Sequence, residues 1–241
     1  MKISVIVPAF NEEKLIAATL ASIRGATGAF TRRGWETELV VCDNNSTDRT
    51  AELARAGGAT VVFEPVNQIG RARNRGASVA TGDWFIFVDA DSHPSGELFA
   101  DVAEKIAEGK WLAGGSTVKL DERVFVAELL VCGWNLISRC RGWAAGAFMF
   151  IEAEAFRAVG GFSRDLFVSE EIDLFERLRK HARGRGKKLV IVHRHPLVTS
   201  ARKLHLYSSW EYARFLLRGA FMPGRTLRNR EACQPWYDGR R

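Results

Sequence analysis

The sequence predicts an open, mostly parallel α/β sheet with helices on both faces, and three features of its first half support this. Strand-like and helix-like segments alternate from the N-terminus. Each strand-like segment is a short apolar run without polar alternation, as expected when helices cover both faces of a sheet. Polar clusters follow the first, second and fourth of these runs, at the strand ends where open α/β sheets bind their ligands.

Four strands and three helices are expected in the first half of the chain. The strands are placed at residues 3–7, 38–42, 60–63 and 84–88, and the helices at 12–24, 47–56 and 70–80. This order is typical of a parallel sheet, because each helix carries the chain back before the next strand begins.

The second half is less regular, but its apolar patterns still predict helices and strands. Helices are expected at 96–108, 121–139, 169–181 and 207–221, and strands at 144–151 and 188–192. Ser95 would cap the first of these helices. Helix 121–139 is amphipathic, with Phe125, Leu129, Gly133 and Leu136 on one face.

Composition indicates one cytosolic domain. The chain has 241 residues, 46% of them hydrophobic, which suits one domain with a full-sized core. No signal peptide is expected, and no apolar run reaches the roughly 18–20 residues of a membrane-spanning helix. The four cysteines form no C-x-x-C pair, so we expect reduced thiols that pack in the core rather than zinc ligands.

The net charge is +7, and residues 202–241 hold nine Lys or Arg against three acids. This basic end suits an anionic partner, and it equally suits a solvated surface. The predicted helix at 207–221 combines aromatic side chains with arginines, so docking onto the sheet and peripheral contact with the inner face of the membrane both remain open. No nucleic-acid-binding motif is present, and no nucleic acid partner is expected.

The three polar clusters are PAFNEE, DNNSTD and DADSHP. In the last of them, Asp89 and Asp91 project to the same side of extended backbone. Two such carboxylates can hold Mg²⁺ or Mn²⁺ while phosphate and water complete its coordination. A simple helix-capping turn is the alternative, although Ser95 would serve as that cap unaided. Three clusters at neighbouring strand ends favour one shared ligand crevice.

The stretches SVIVPAFNEE, VVCDNNSTDRT, GRARNRGASVATGDWFIFVDADS and GGFSRDLFVSEEIDL occur in this order. Together they resemble the family 2 glycosyltransferases of the GT-A fold over roughly residues 1–200. The resemblance implies an inverting enzyme that moves a sugar from a nucleotide diphosphate sugar to a hydroxyl of a sugar or a lipid-linked acceptor, with Mg²⁺ or Mn²⁺ on the diphosphate. Family frequency favours uracil as the base. The expected layout is a single domain at 1–222, with a nucleotide-sugar half at 1–95 and an acceptor half at 96–222, followed by a basic tail at 223–241.

The resemblance also assigns roles to residues around the nucleotide, namely Pro8, Ala9, Phe10, Glu12, Asp43, Asn44, Arg73 and Asp89. The first loop would embrace the nucleoside, with Glu12 accepting hydrogen bonds from ribose hydroxyls. Asp43 or Asn44 would bind the base edge, where the family usually has two acids. Arg73 would face the base or a phosphate, and Asp89 would touch the ribose or the outer shell of the metal.

Asp91 is the metal ligand that the resemblance implies, and the metal would neutralise the charge that develops on the leaving diphosphate. The family places its general base in a Glu-Asp pair that opens a helix. Glu171 matches the second member of that pair and is the expected base, with Glu170 as the second choice. Gly146 and Asp173 are expected on the acceptor side.

Two late segments are also assigned by the resemblance. His195 or His193 would complete the metal shell, and Arg202 or Lys203 would contact the diphosphate by charge.

Two other classes of function compete with this reading. A sugar nucleotidyltransferase shares a related sheet, but it normally shows a Gly-rich basic loop after the first strand, whereas PAFNEE is acidic. A non-catalytic protein that binds nucleotides or other anionic ligands would tolerate the loss of Asp91 and would bind less tightly as salt increases.

Overall fold

The structure is a computed structural model that describes residues 1–122, 125–202 and 228 of the chain. Its strands are β1 (Lys2–Ala9), β2 (Glu36–Asp43), β3 (Thr60–Phe63), β4 (Trp84–Val88), β5 (Ser92–His93), β6 (Trp111–Leu120), β7 (Phe148–Glu152) and β8 (Lys188–Thr199). Its helices are α1 (Ile16–Thr31), α2 (Thr50–Ala56), α3 (Ile69–Val79), α4 (Gly96–Ala107), α5 (Phe125–Arg141), α6 (Ala153–Ala158) and α7 (Glu170–Gly184). The predicted helix at 207–221 lies outside the described residues, as does the predicted tail apart from residue 228.

The eight strands form one sheet in the order β3-β2-β1-β4-β7-β6-β8-β5. The strands β3, β2, β1 and β4 run parallel, and β6 pairs parallel with β8. The pairs β4–β7, β6–β7 and β5–β8 are antiparallel. The predicted α/β sheet is therefore confirmed, with antiparallel pairing confined to its second half.

Helices cover both faces of this sheet, as the apolar strand runs predicted. In β4, Trp84, Ile86 and Val88 pack in the apolar cluster that also contains α1 and α4. Phe85 and Phe87 point the other way, into the cluster that contains α6 and α7. Burying an aliphatic or aromatic side chain of this size contributes about 1.5–3 kcal/mol, so both clusters stabilise the sheet.

Strand β6 was not predicted, because glycines interrupt its apolar run. A Cβ atom on Gly114 would lie 2.4 Å from the carbonyl oxygen of Val190, and one on Gly115 would lie 2.5 Å from the Cβ of Ala144. Both positions therefore require glycine for close packing against neighbouring backbone. The glycine pair is thus a packing requirement inside a central strand.

Several boundaries also differ from the predicted ones. Helix α1 begins at Ile16 rather than at residue 12, because residues 11–15 form a bend and a turn, and Glu12 in this segment lines the crevice described below. Strand β8 continues to Thr199 rather than ending at 192. Cys42 is buried as expected, whereas Cys132 and Cys140 are exposed on α5, so the core role predicted for these two thiols is wrong.

Among the described residues, no helix is both long enough and apolar enough to cross a membrane.

Candidate functional site

A crevice opens at the carboxyl ends of β1, β2 and β4, where the polar clusters were predicted to meet. Ala9 at the end of β1 pairs with Asp43 at the end of β2, so the two following loops leave the sheet side by side. The crevice is open to solvent. Its lining residues are Pro8, Ala9, Phe10, Glu12, Asn44, Ile69, Asp89, Ala90 and Asp91.

The loops after β1 and β2 are locked together by Asn11. Its backbone N–H donates to the Ser46 hydroxyl at 3.0 Å, and its side-chain oxygen accepts from the Thr47 N–H at 2.8 Å. Asn11 and Asn45 both have left-handed backbone, with φ of 52° and 66°. Left-handed residues other than glycine persist only where the surroundings hold them, and they concentrate at functional sites.

Glu12 and Arg202 meet at the rim of the crevice. One terminal nitrogen of Arg202 donates to both carboxylate oxygens of Glu12, at 2.8 and 2.9 Å. Glu12 is buried, and its backbone N–H donates to the Thr50 hydroxyl at 2.8 Å. The expected ribose-binding acid and the expected diphosphate-binding cation therefore lie together, paired with each other.

The two residues expected at the base edge have different surroundings. The amide nitrogen of Asn44 donates to the carbonyls of Glu64 and Val66, and its oxygen accepts from the N–H of Gln68 at 2.9 Å. This side chain thus anchors the loop between β3 and α3. Asp43 accepts from the Ser46 N–H at 3.1 Å and keeps further acceptor capacity.

The aspartates of DADSHP border the crevice and are not needed as helix caps. Ser95 caps α4, with its hydroxyl accepting from the Leu98 N–H at 3.2 Å, as predicted. Asp91 is 7% exposed, and both Asp89 and Asp91 line the crevice. Hard carboxylate oxygens at an open crevice suit Mg²⁺ or Mn²⁺. Among the described residues, no group of three or more His, Cys, Asp or Glu side chains is arranged to hold a metal ion.

Arg73 lies in a different place from the one expected. Its guanidinium is 1% exposed and donates to Glu170 at 2.6 Å, to Asp89 at 2.9 Å and to the carbonyl of Gly146 at 2.8 Å. It also lies 5.2 Å from the ring centre of Phe162. Burial disfavours the charged guanidinium, but the two carboxylates outweigh this effect and raise the pKa of Arg73. The side chain is enclosed by protein acids rather than presented to a nucleotide.

Glu170 and Glu171 open helix α7, directly after Ser169, whose φ of 65° turns the chain sharply into the helix. Burial raises the pKa of Glu170, against the opposing charge of Arg73. Burial, together with the charge of Glu170, raises the pKa of Glu171 to about 8. One guanidinium thus lies among three carboxylates, and its direct ion pairs are with Asp89 and Glu170.

The segment that leads into α7 is held by α3, a role that sequence reasoning did not identify. Asn74 both accepts from the N–H and donates to the carbonyl of Phe162, each at 2.9 Å. Gly161 has a φ of 67°, and a Cβ there would lie 2.5 Å from the Asn74 side-chain oxygen. Gln68 donates to the carbonyls of Arg164 and Leu166, both at 2.9 Å. Gln68 lies just before the helix predicted at 70–80 and Asn74 lies within it, and these two amide side chains were the available signal for this clamp.

The remaining expected residues are placed as follows. Gly146 borders the acids, since a Cβ there would lie 3.4 Å from the Arg73 guanidinium and 3.6 Å from the Glu171 carboxyl carbon. Asp173 pairs along its own helix with Arg177 at 2.7 Å. His195 pairs with Asp101 on α4, at 3.0 Å from Nδ1. The structure therefore brings Gly146 to the site and gives Asp173 and His195 other partners.

Comparison with known proteins identifies the family. The sequence model of Glycosyl transferase family 2 matches residues 4–130 of this chain. Dolichol-phosphate mannosyltransferase from Pyrococcus furiosus is 30% identical over 151 residues, which cover 58% of this chain and 41% of that protein. The chain therefore spans less than half the length of this relative.

Two solved structures share the fold. A mannosyltransferase from Pyrobaculum calidifontis, in complex with GDP-Man and Mn²⁺, has a TM-score of 0.63 at 22% identity, covering 88% of this chain and 59% of that one. Glucosyl-3-phosphoglycerate synthase from Mycobacterium tuberculosis, in complex with Mn²⁺, UDP and phosphoglyceric acid, has a TM-score of 0.62 at 24% identity, covering 85% and 72%. These likenesses confirm the predicted GT-A fold. With a family match across more than half of its length, this chain belongs to glycosyl transferase family 2.

Proposed function

We propose that this family member is an inverting glycosyltransferase that moves a sugar from a nucleoside diphosphate sugar to an acceptor hydroxyl. The observation that carries the proposal is the buried bridge from Asp89 through Arg73 to Glu170. It joins the acids of the donor crevice to the helix start that carries Glu171. An enzyme of this type needs a donor site and a base held in a fixed relation, because the acceptor attacks opposite the leaving group.

On the donor side, Pro8, Ala9 and Phe10 would surround the nucleoside, and Glu12 would accept from the ribose. Asp43 is the residue proposed to bind the base edge, because the Asn44 amide already holds the loop before α3. Arg202 would exchange its contact with Glu12 for the diphosphate when the donor binds.

Asp91 would hold a divalent cation, Mg²⁺ or Mn²⁺, with Asp89 beside it. When bound, such an ion offsets the negative charge that develops on the leaving diphosphate. Support comes from the carboxylates at the crevice and from the two relatives, each solved with Mn²⁺ and a nucleotide. His195 is not needed in this scheme, because Asp101 already holds it.

Glu171 is the proposed general base. The acceptor oxygen forms a bond to the anomeric carbon, the bond from that carbon to the diphosphate oxygen breaks, and the hydroxyl proton passes to the Glu171 carboxylate. A raised pKa makes the ionised carboxylate a stronger base than an ordinary glutamate. Glu170 is the less suitable base, because Arg73 holds its carboxylate at 2.6 Å.

Uridine diphosphate sugar is the proposed donor, on family frequency and on the UDP bound in one relative. Guanosine diphosphate is the competitor, because the other relative binds GDP-Man. Uracil and guanine each have N–H groups that can donate to a carboxylate, so the Asp43 side chain is compatible with either base.

A thermal-shift panel tests this proposal directly. It compares UDP, GDP and their sugar conjugates, each with and without Mn²⁺. Ligand at about one hundred times its Kd stabilises the native state by about 2.7 kcal/mol, which raises the Tm by several degrees. The proposal expects the largest shift with a uridine nucleotide and Mn²⁺ together. Failure of every nucleotide to respond to the metal would contradict it.

A further inference from the structure

Helix α5 is apolar on two opposite faces. Its inner face carries Val131 and Trp134, which pack against the core, and the buried Ala127 and Ser138. Its outer face carries the large exposed side chains Phe125, Leu129, Leu130, Leu136 and Ile137. Phe125 is 83% exposed and Leu129 is 66% exposed. A concentration of large exposed apolar side chains marks an interaction surface, so this outer face indicates a partner.

The outer face is the one that the sequence pattern showed as an apolar stripe. In the structure it points away from the sheet, while the residues between its members face the core. Five of the nine large exposed hydrophobic side chains among the described residues lie on this one helix. Scattered exposed apolar residues need no explanation, but a concentration of this kind does.

A group of cations lies at the C-terminal end of the same helix. We call it the basic cluster, and its members are Arg139, Arg141, Arg179, Arg183, Lys187 and Lys188, which line one surface cavity. Arg179 pairs with Glu176, and Lys187 pairs with Glu152. Within the described part of the chain, the other four cations have no ion pair with an acid. The cluster therefore presents uncompensated positive charge beside the apolar face.

We propose that the outer face of α5 and the basic cluster bind the surface of an anionic lipid bilayer. The helix would lie in the plane of the interface, with its leucines among the lipid chains and its cations among the phosphates. The positive charge of the basic cluster favours an anionic bilayer over the other two candidate partners, a second copy of the chain and residues 202–241. A second copy would bring a second basic cluster against the first, and residues 202–241 of this chain also carry an excess of Lys and Arg.

The consequence for the acceptor rests on the proposed function. Residues 142–145 join α5 to Gly146, whose carbonyl accepts from Arg73 and which lies beside Glu171. Docking of α5 would bring the segment that leads to Gly146 close to the bilayer. The acceptor class that fits this geometry is a hydroxyl carried by a membrane-anchored molecule.

Vesicle flotation of the full chain tests the proposal. Vesicles of phosphatidylcholine are compared with vesicles in which roughly a third of the lipid is phosphatidylglycerol. The wild type should float only with the anionic vesicles and should be released by high salt. The double variant Leu129→Ser, Leu136→Ser should partition about tenfold less. Arg139→Gln with Arg141→Gln should weaken binding at low salt. Phe63→Ser with Val79→Ser removes exposed apolar side chains elsewhere and should float like the wild type.

Several outcomes would overturn the proposal. The proposal is wrong if the wild type does not float with anionic vesicles, or if the double leucine variant floats as well as the wild type. A wild-type dimer that this variant converts to monomer, without flotation, would assign the face to a second copy. A wild-type monomer that does not float would assign it to residues 203–241. Each variant is also checked for Mn²⁺-dependent nucleotide binding, which does not involve α5. Flotation without any nucleotide response would contradict the proposed function alone.

Discussion

Arg73 and Glu170 form a buried ion pair of 2.6 Å that joins helix α3 to the first residue of helix α7. The same guanidinium reaches Asp89 at 2.9 Å, directly after strand β4 and in the wall of the crevice. Removing one partner of a buried pair leaves an uncompensated charge, which typically costs about 3–5 kcal/mol. The pair therefore fixes the position of the candidate base relative to the donor crevice.

The first prediction concerns Arg73→Lys. Lysine keeps the charge, but it lacks the planar fork that serves Glu170, Asp89 and the Gly146 carbonyl together. A small displacement of the candidate base should lower the transfer rate by about a hundredfold. The dissociation constant for the donor should change much less, since Arg73 is enclosed beneath the crevice. Steady-state kinetics and a donor titration separate the two effects.

Arg75→Lys is the matched control, because it makes the same exchange two residues further along α3 at an exposed position. It should leave both the rate and the affinity unchanged. A large loss of donor affinity in Arg73→Lys, with the rate of the bound enzyme intact, would place Arg73 on the nucleotide instead.

The second prediction concerns the pH dependence of transfer. Glu171 accepts a proton only when ionised, and its pKa is raised to about 8. The value of kcat/KM should therefore fall tenfold for each pH unit below about 8, rather than below the usual range of a carboxyl group. Above pH 8, Glu171→Gln should lose transfer by about 10²–10⁴-fold and still bind the donor, and this loss should shrink as the pH falls and the wild-type carboxylate becomes protonated.

Glu154→Gln serves as the control for this substitution, because Glu154 is an exposed glutamate at the start of α6. It should show the wild-type pH profile. Transfer that survives in Glu171→Gln would show that the base lies elsewhere, with Glu170→Gln as the next variant to measure.

The third prediction separates Asp43 from Asn44. Asn44→Asp removes the two amide donors that hold the loop before α3, so it should destabilise the fold by about 1–3 kcal/mol. Asp43→Asn keeps an acceptor for the Ser46 N–H and should change the Tm little. It should instead weaken binding of the nucleotide and alter the preference between UDP and GDP. Thermal unfolding measures the stability of the two variants, and nucleotide titrations measure their affinities for UDP and GDP. An unchanged preference between UDP and GDP in Asp43→Asn would contradict the proposal that Asp43 binds the base.

The first half of the fold could be predicted because its strands are short apolar runs with polar loops at one end. Trp84–Val88 has no polar residue, so a doubly covered strand was the natural interpretation. Strand β6 could not be found in the same way. Its Gly114 and Gly115 are dictated by close contacts with β7, β8 and Ala144, which are distant in sequence.

The residues that form the site could be predicted from the sequence better than the contacts between them. The residues of three strand ends do meet in one crevice, because parallel strands end at the same edge of the sheet. The partners of Arg73 were not predictable, since Asp89, Gly146 and Glu170 come from segments that only the tertiary fold brings together. The outward direction of the α5 stripe was likewise hidden, because a helical wheel does not say which of two apolar faces meets the core.

The central claim is that Asp91 makes nucleotide binding depend on a divalent metal. Calorimetric titration of nucleoside diphosphate into wild type, Asp91→Asn and Asp89→Asn, with and without Mn²⁺, tests it most directly. Asp83→Asn, a surface exchange of the same kind, is the control and should match the wild type. The account predicts that Asp91→Asn binds equally weakly with and without Mn²⁺, and that Asp89→Asn loses about tenfold in affinity. Metal-dependent binding in Asp91→Asn as tight as in the wild type would contradict the account.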